Sequence, residues 1–421
     1  MQITGERVGV IGSGVAGLTA AYLLQRRYDV LLFEADERLG GHAHTHDVAG
    51  ARGTIGVDSG FIVHNERTYP TLLKLFGELG VRTQPTEMSM SIRCDGCGLE
   101  YAGAKGLPGL FARRRNLRNP RYLRMLAEVK RFHRHAERVL RAPDAGDVTI
   151  GAFVAIGGYS RYFVDHFLLP LVATVWSADR TGTLRYPAPY LFAFLRNHGM
   201  LSVSGSPSWR TVTGGSREYV DLAVKQLTAV HLSTPIRSVR RTPAGVELRD
   251  DADTAHRVDK VVVATHADQA LGLLGEPTDA EREVLGAFGY SRNEAWLHTE
   301  PGVLPRTPGA RASWNHSAPA CGADHGAVQV SYDMNRLMRL DEPEGYVVTL
   351  NPSEVIPAAQ VLAKMTYEHP IYTPESVRAQ RRLPELNDGV VAYAGAYHGW
   401  GFHEDGCASG TRAAESLGVR W

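Results

Sequence analysis

The sequence predicts an α/β fold, with one parallel sheet that the chain builds in several visits and a second α+β region inserted between them. Three stretches carry that expectation. Residues 7–35 read as strand, glycine turn, helix and strand. Val261-Val262-Val263-Ala264-Thr265 is an apolar run ending in small residues, as a central parallel strand would be. Residues 390–394 form a last strand before a glycine-rich turn and a helix. A chain of 421 residues is too long for one compact core. We therefore expect one domain from residues 1–76, 206–290 and 381–421, and another from residues 77–205 and 291–380.

In the first stretch, Val8, Val10 and Ile11 are a β-branched run that ends in Gly12-Ser13-Gly14-Val15-Ala16-Gly17. Leu18, Ala21, Tyr22 and Leu24 then take up helical spacing, and residues 29–33 read as a buried strand closed by Glu34. Gly12 suits a tight turn, Gly14 lets the backbone approach a pyrophosphate, and Gly17 lets helix and strand pack closely. The helix start offers unpaired N–H groups to the phosphates. Glu34 lies 22 residues after Gly12, where a dinucleotide fold needs a carboxylate for a ribose diol. The unit predicts a dinucleotide, NAD or FAD, without choosing between them.

Composition narrows the class. Hydrophobic content of 43%, charged content of 22% and a formal charge of +1 are ordinary for a soluble enzyme and give no reason to expect nucleic acid. Four cysteines are too few for a disulfide framework, so a reducing cytoplasm is the expectation. We read no signal peptide, because a strand begins almost at once. The longest apolar stretch, residues 163–176, contains Asp165, His166 and Pro170 and is too short to cross a bilayer.

Further along, Arg38-Leu39-Gly40-Gly41 supplies a second glycine pair that permits backbone contact with the far side of a pyrophosphate. Asp58-Ser59-Gly60-Phe61 marks the next turn. With these, the chain resembles the flavin-containing amine oxidoreductase superfamily, which includes monoamine oxidases, protoporphyrinogen oxidase and phytoene desaturases. Its opening pattern is the glycine fingerprint, the acid, an Arg-x-Gly-Gly loop and an Asp-x-Gly turn. The resemblance implies FAD. His42, His44 and His46 alternate like a metal comb, but no cysteine or carboxylate cluster completes a ligand set. In relatives an arginine beside the flavin occupies the place of His42, which implies that His42 touches the cofactor.

Cys94-Asp95-Gly96-Cys97 falls in an expected hairpin with Glu100 and Tyr101. Such spacing can bind zinc or cycle as a redox pair, but with no second cysteine pair and no surrounding βαβ unit we read a structural turn and no metal. Residues 111–141 carry eleven Lys and Arg against Glu128 and Glu137, a balance of +9, so the rest of the chain sums to −8. Tyr122, Met125, Leu126, Val129, Phe132, Ala136 and Leu140 recur at helical spacing, which makes the basic groups the outer face of an amphipathic helix. That face is either solvated or docks on anionic lipid. Residues 150–201 are dense in aromatic groups and suit the wall of a long apolar pocket.

A boundary is expected near residues 205–207, then a helix over 219–227 and a hairpin over 230–248 containing Pro235-Ile236. In the superfamily the residue after that proline contacts adenine through its backbone, which implies the role for Ile236. Residues 290–298, 314–315, 328–335 and 347–350 read as the sheet of the second domain. Near the end, Gly395, Gly399, Gly401 and Gly406 surround aromatic and acidic residues, and Ser409 onward reads as a helix. Such a helix would aim its positive end at the pyrimidine edge of a flavin. Relatives do this with an Ala-Gly strand end and a Gly-aromatic-x-Glu-x-Gly turn, matched here by Gly395, Gly401, Phe402, His403, Glu404 and Gly406. NAD has no use for this element, so FAD is the expected cofactor. The expected contacts are Gly12, Gly14, Val15, Ala16, Gly17, Glu34, Ala35, Arg38, Gly40, Gly41, His42, Asp58, Ser59, Gly60, Phe61, Ile236, Ala264, Gly395, Phe402, His403, Glu404 and Asp405. His403, with His198 and His398 as competitors, is the expected base.

A narrower resemblance covers nearly the whole chain. Residues 57–65, Asn197-His198-Gly199-Met200-Leu201, residues 209–216, Leu297-His298-Thr299, Ser313-Trp314-Asn315, Met334-Asn335-Arg336-Leu337 and residues 401–406 look like bacterial flavoproteins found beside cyclopropane fatty acid synthases. The flavin domain of plant cyclopropane synthases is similar. This implies a modified acyl substrate, esterified in a phospholipid, a functional link to such a synthase, and a place at the inner membrane face. Amine oxidases of the superfamily usually carry a lysine near the flavin on the strand that corresponds to residues 290–297, where Arg292, Asn293 and Glu294 stand instead. A dehydrogenase or desaturase that moves hydride on an acyl chain therefore fits better than an oxidase. The rival readings are an amine oxidase, a redox-neutral double-bond isomerase and a non-enzymatic prenyl-binding escort.

Overall fold

A computed structural model describes residues 5–142, 148–177, 179–202, 206–322, 328–352 and 356–421. Gly205, part of the expected boundary, lies outside the described residues. The fold is α/β, and its organising sheet is five-stranded and parallel. In order across the sheet its strands are Ala229–His231, Asp29–Phe33, Arg7–Ile11, Lys260–Val263 and Val391–Tyr393. The central strand is buried on both faces: Val8 and Val10 pack on one with Leu18, Ala21, Ala413 and Ala414 of the first and last helices, and Ile11 packs on the other with Val246, Leu248 and Val258. The helix Val15–Leu24 is apolar nearly all round and buries nine of its ten residues, so only a position inside the domain satisfies it.

Two elements differ from expectation here. Residues 229–231 do not enter a hairpin but pair parallel with Asp29–Phe33 at the sheet edge. The hairpin runs instead from Ile236–Thr242 to Gly245–Asp250 and gains a third strand, Ala255–Val258. Pro235 separates the two because it lacks the N–H that a continuous ladder would need. The last helix, His403–Ser416, starts six residues earlier than read from Ser409. Gly406 and Gly410 sit inside it as contact points: a Cβ on Gly406 would lie 2.6 Å from Val15 Cγ1, and one on Gly410 would lie 2.2 Å from the Ala16 carbonyl. The first and last helices thus touch from their first turns onward.

The second sheet is seven-stranded, in the order Val361–Ile371, Gly289–His298, Val347–Leu350, Gln329–Asp333, Trp314–Ala318, Met90–Cys94 and Leu99–Tyr101. It is antiparallel except where Trp314–Ala318 meets Met90–Cys94. The run expected to stay extended to residue 335 turns helical at Met334–Met338. The helices Pro120–Arg141, Ile150–Ile156, Leu169–Trp176 and Ala188–Asn197 pack on this sheet around Phe132, Phe163, Phe192 and Tyr122, all fully buried. Pro120–Arg141 is a 22-residue helix, N-capped by the Asn119 side chain, that buries Tyr122, Met125, Glu128, Phe132 and Ala136. Among the described residues no helix is long and apolar enough to cross a membrane.

Candidate functional site

The site begins at the C-terminal end of the parallel sheet, where ligands of open α/β folds collect. Gly12 has φ +96, and a Cβ there would sit 2.7 Å from the Ala264 carbonyl. A Cβ on Gly17 would lie 1.9 Å from the Gly12 carbonyl, so both positions admit only glycine. Gly14 is the opposite case: a Cβ would meet nothing within 4 Å. Its side of the turn is open, and the N–H groups of the first helix turn look into that opening.

Glu34 lies at the rim, its Oε2 accepting from Ser13 N at 2.8 Å and Ser13 Oγ at 2.5 Å, and its Oε1 from Asp36 N at 3.0 Å. Ala35 beside it is exposed. Ile236 is buried with Ile11 and Phe33 just behind this rim. Gly40 N donates to Ser13 Oγ at 3.1 Å, and a Cβ on Gly41 would lie 3.1 Å from Gly14 Cα, so the Arg38-to-Gly41 loop lies directly over the cradle. A Cβ on Gly60 would lie 2.1 Å from the His42 carbonyl, which seats the 58–61 turn under the same loop.

The aromatic turn forms the far end. The Gly399 carbonyl accepts from Tyr190 OH at 2.6 Å, Tyr372 OH at 2.8 Å and Gln380 Nε2 at 2.5 Å, and the Trp400 carbonyl accepts from Trp176 Nε1 at 3.0 Å. Phe402 stacks on Phe194 at 5.1 Å, with Tyr186 and Tyr372 behind. The result is an aromatic wall fixed by hydrogen bonds to the turn that starts the last helix. Because that helix and the first one meet from their first turns onward, their positive ends converge on one region. Trp400 Nε1 and Tyr186 OH are buried beside it without a partner among the described residues, polar atoms a ligand can satisfy.

Several expected contacts also serve as scaffolding. Asp58 is fully buried and accepts from Thr45 Oγ1 at 2.6 Å, Ser216 Oγ at 2.8 Å and Ser216 N at 2.9 Å. Burial pushes its pKa up to about 6 against those donors. Ser59 Oγ bonds Tyr367 OH at 2.7 Å and His46 Nε2 at 2.8 Å. Glu404 accepts from Thr71 N at 3.0 Å and Leu72 N at 2.9 Å, capping the helix Pro70–Leu79, whose own N-cap residue, Tyr69, makes no side-chain cap. Asp405 accepts from Phe402 N at 2.9 Å and is pushed to about 7 by burial. These four side chains hold the site together.

The histidines also redistribute. His403, the expected base, is stacked on Phe61 at 3.8 Å and bonded to Tyr219 OH at 3.2 Å, with its pKa lowered to about 3 by burial. Its ring packs beside the cradle with Nε2 committed to Tyr219. His398 is buried against Tyr397 and lowered to about 3. His198 stands on the aromatic side, 6.1 Å from the Phe402 ring, with Nδ1 on the Phe194 carbonyl at 3.1 Å, which leaves Nε2 as its acceptor. His42 is held neutral, first by burial and then by His369, whose ring is 5.6 Å away. His369 and Tyr367, both from Val361–Ile371, lie against His42 and are not singled out in the sequence. The signal present was the alternation of Ala363, Met365, Tyr367 and His369. His44 and His46 bond Tyr367 OH and Ser59 Oγ instead of sharing a ligand.

Strand Gly289–His298 turns Asn293, Ala295 and Leu297 inward and leaves Arg292 and Glu294 exposed. Asn293 Oδ1 accepts from Asn351 Nδ2 at 3.0 Å. The lysine of the adjacent strand, Lys364, lies 4.0 Å over the ring of Trp296, on the outward side.

Comparisons with known proteins agree with this geometry. A model of the family of flavin containing amine oxidoreductases matches residues 15–344. AofH of Mycobacterium tuberculosis, which carries the name flavin-containing monoamine oxidase, is 28% identical over 268 residues, 59% of this chain and 54% of its own length. The chain therefore spans about half the length of the curated relatives it matches. Among solved structures, cyclohexylamine oxidase from Brevibacterium oxydans superposes with a TM-score of 0.69 at 16% identity over 98% of both chains. A fatty acid isomerase from P. acnes that produces CLA superposes with a TM-score of 0.68 at 14% identity over 98% of this chain and 99% of its own. The glycine cradle, the ribose acid and the two converging helix starts fit FAD, the cofactor of these proteins' fold, and the chain belongs to the flavin-containing amine oxidoreductase family.

Proposed function

We propose that this protein is an FAD-dependent oxidoreductase of dehydrogenase or desaturase type, acting by hydride transfer on a modified fatty acyl chain or a similarly hydrophobic substrate. The observation that carries the reading is the aromatic wall of Trp176, Tyr186, Phe194, Tyr372, Trp400 and Phe402 set against the turn that starts the last helix. Trp176, Tyr186, Phe194 and Tyr372 are packed behind half-buried Trp400 and Phe402, which leaves those two rings as the apolar surface a hydrophobic substrate would meet. The inward face of Gly289–His298, with Asn293 in place of a lysine, supports an electron acceptor other than oxygen. The sequence resemblance to flavoproteins beside cyclopropane fatty acid synthases supports a cyclopropane or methyl-branched acyl group, the product of such a synthase. The fold it shares with a fatty acid isomerase is compatible with that substrate class.

Bound FAD supplies the hydride acceptor. Gly12, Gly14, Gly17, Glu34, Gly40 and Gly41 would hold its nucleotide half, and the first turn of His403–Ser416 would face its ring. Double-bond formation also releases a proton. Burial lowers the pKa of His198, His42 and His369, which favours the neutral ring that a proton acceptor needs. Their placement on the aromatic and cradle sides makes them the groups to test in place of His403.

The test is anaerobic mixing of the purified holoprotein with cyclopropane or methyl-branched phospholipids, following flavin absorbance and acyl products. Bleaching with a changed acyl chain is the expected result. Bleaching by simple amines alone overturns the substrate class.

The basic helix supports delivery from a membrane. Arg114, Arg118, Arg121, Arg124, Arg134 and Arg138 are exposed, and Leu117 and Leu123 beside them are 54% and 43% exposed. Basic side chains near an anionic surface contribute about 1 kcal/mol each. Charge reversal at Arg114, Arg118 and Arg121 should weaken binding to anionic vesicles by roughly 100-fold or more. Unchanged vesicle sedimentation would remove the docking role and leave the face as a solvated one.

A further inference from the structure

The turn Cys94-Asp95-Gly96-Cys97, read from sequence as structural, does not stand alone in the fold. Strand Trp314–Ala318 runs parallel to Met90–Cys94, with Ala318 opposite Cys94, and its exit carries Cys321 to the same end of the sheet. From the other side His166 arrives on Val164–Leu168, a π-helical turn inserted in a helical stretch. Such turns rotate a side chain out of the ordinary helical phase and recur at functional positions. Cys94 Sγ lies 3.6 Å from Cys321 Sγ, and Cys97 Sγ lies 3.4 Å from His166 Nε2. The four ligand atoms all fall within 4.8 Å of one another.

We propose that Cys94, Cys97, His166 and Cys321 form a Cys3His site for a structural zinc ion. Zinc bonds of about 2.3 Å to sulfur and 2.0–2.1 Å to nitrogen place tetrahedral ligands roughly 3.8 Å apart for two sulfurs and 3.5 Å for sulfur and nitrogen. The two close pairs match those edges, and the 3.6 Å sulfur separation is far from the roughly 2.05 Å of a disulfide. All four are protein ligands, so no position is left for water or substrate, which marks a structural and not a catalytic site.

The surroundings are those of a built site. His166 Nδ1 faces the Tyr162 carbonyl at 3.0 Å, which places the proton there and leaves the Nε2 lone pair for the metal. The Tyr162 ring stacks on the imidazole at 4.1 Å and holds its plane. Gly98, directly after Cys97, has φ +63, which lets the chain fold back so that the Leu99 N–H meets the Cys97 sulfur, while the Cys97 N–H meets that of Cys94. Asp165 is committed to Arg180 at 2.8 Å and Arg161 at 3.4 Å, so it does not compete as a ligand. Binding releases the three thiol protons to solvent and leaves a net charge of −1, with Arg115 and Arg161 at its edge. The ion would tie the hairpin, the strand exit and the helical region into one unit, independent of the flavin site.

The test uses the flavin-loaded protein, purified without chelator and without a metal-affinity tag. Elemental analysis should find about one zinc per chain, and absorption at the zinc edge should show three sulfurs and one nitrogen. Cys321→Ser and the pair Cys94→Ser with Cys97→Ser should bring zinc near zero, and Cys321→Ser should keep its flavin. Wild-type protein that stays free of zinc both as isolated and after incubation with zinc under thiol reductant overturns the proposal. So does zinc held with oxygen and nitrogen ligands only.

Discussion

Gly14→Val is expected to give a folded protein without its yellow cofactor. Gly14 has φ −62 and ψ 173, a conformation open to any residue, and a Cβ there meets no protein atom within 4 Å. The added methyl groups therefore cost the fold only the weaker N-cap, about 1 kcal/mol or less. They occupy the space from which the backbone must reach a pyrophosphate. Losing two hydrogen bonds to a charged group, at roughly 1.5–3 kcal/mol each, weakens binding by about 100- to 10,000-fold. Flavin released on denaturation, measured per chain, reports the loss, and circular dichroism reports the intact fold. Full flavin content in this variant would refute the cradle assignment. Unfolding should also shift, because a ligand held at a thousand times its dissociation constant stabilises by about 4 kcal/mol. Gly17→Ala is a poorer probe, since its Cβ would lie 1.9 Å from the Gly12 carbonyl and disturb the turn itself.

The contrast between those two glycines marks what was legible beforehand. Gly12, Gly14 and Gly17 are read correctly in sequence because their tasks are local: a turn, an opening and a contact within one strand-turn-helix unit. Gly406 is read as a turn residue for the same local reason and Gly410 only as part of a helix start, yet both lie against Val15 and Ala16, nearly 400 residues away. The strand Val361–Ile371 is hard to read because Pro370 lacks a ladder N–H and only Tyr367 among its residues is buried. That difficulty hides His369, while His403 comes from the C-terminal turn motif, and no spacing rule reveals its neighbours Phe61 and Tyr219. Carboxylates are hardest to read: Glu404 matches a cofactor motif but caps a helix beginning at Pro70. Residue type announced that an acid would find donors, and only the fold decides which.

Glu281→Ala should have the complementary effect, loosening the fold while leaving the cradle intact. Glu281 is 1% exposed and accepts from Arg241 Nη2 at 2.7 Å, Tyr393 OH at 2.5 Å and Thr278 N at 2.7 Å. Tyr393 is fully buried in the last strand of the parallel sheet, two residues before Gly395. Removing the carboxylate strands that hydroxyl at roughly 1–3 kcal/mol and breaks the capping box of Asp279–Leu285 at about 1 kcal/mol. Arg241 contributes less, because a third of its side chain is exposed and it still reaches Asp388 at 3.1 Å. The expected loss is therefore about 2–4 kcal/mol in denaturant unfolding. Burial alone would raise the Glu281 pKa, but the hydrogen bonds from Arg241, Tyr393 and Thr278 outweigh it and hold the group below its ordinary 4.5. A carboxyl depressed on folding stabilises above its unfolded pKa and loses that contribution as pH falls through the folded one. The gap between wild type and Glu281→Ala should thus be full at neutral pH and close below about 4.5. A gap under about 0.5 kcal/mol at pH 7, or one that widens in acid, would show that Tyr393 and Arg241 find other partners. Flavin content should match wild type throughout, so that anchoring of the last strand and occupancy of the cradle are separable by two single substitutions.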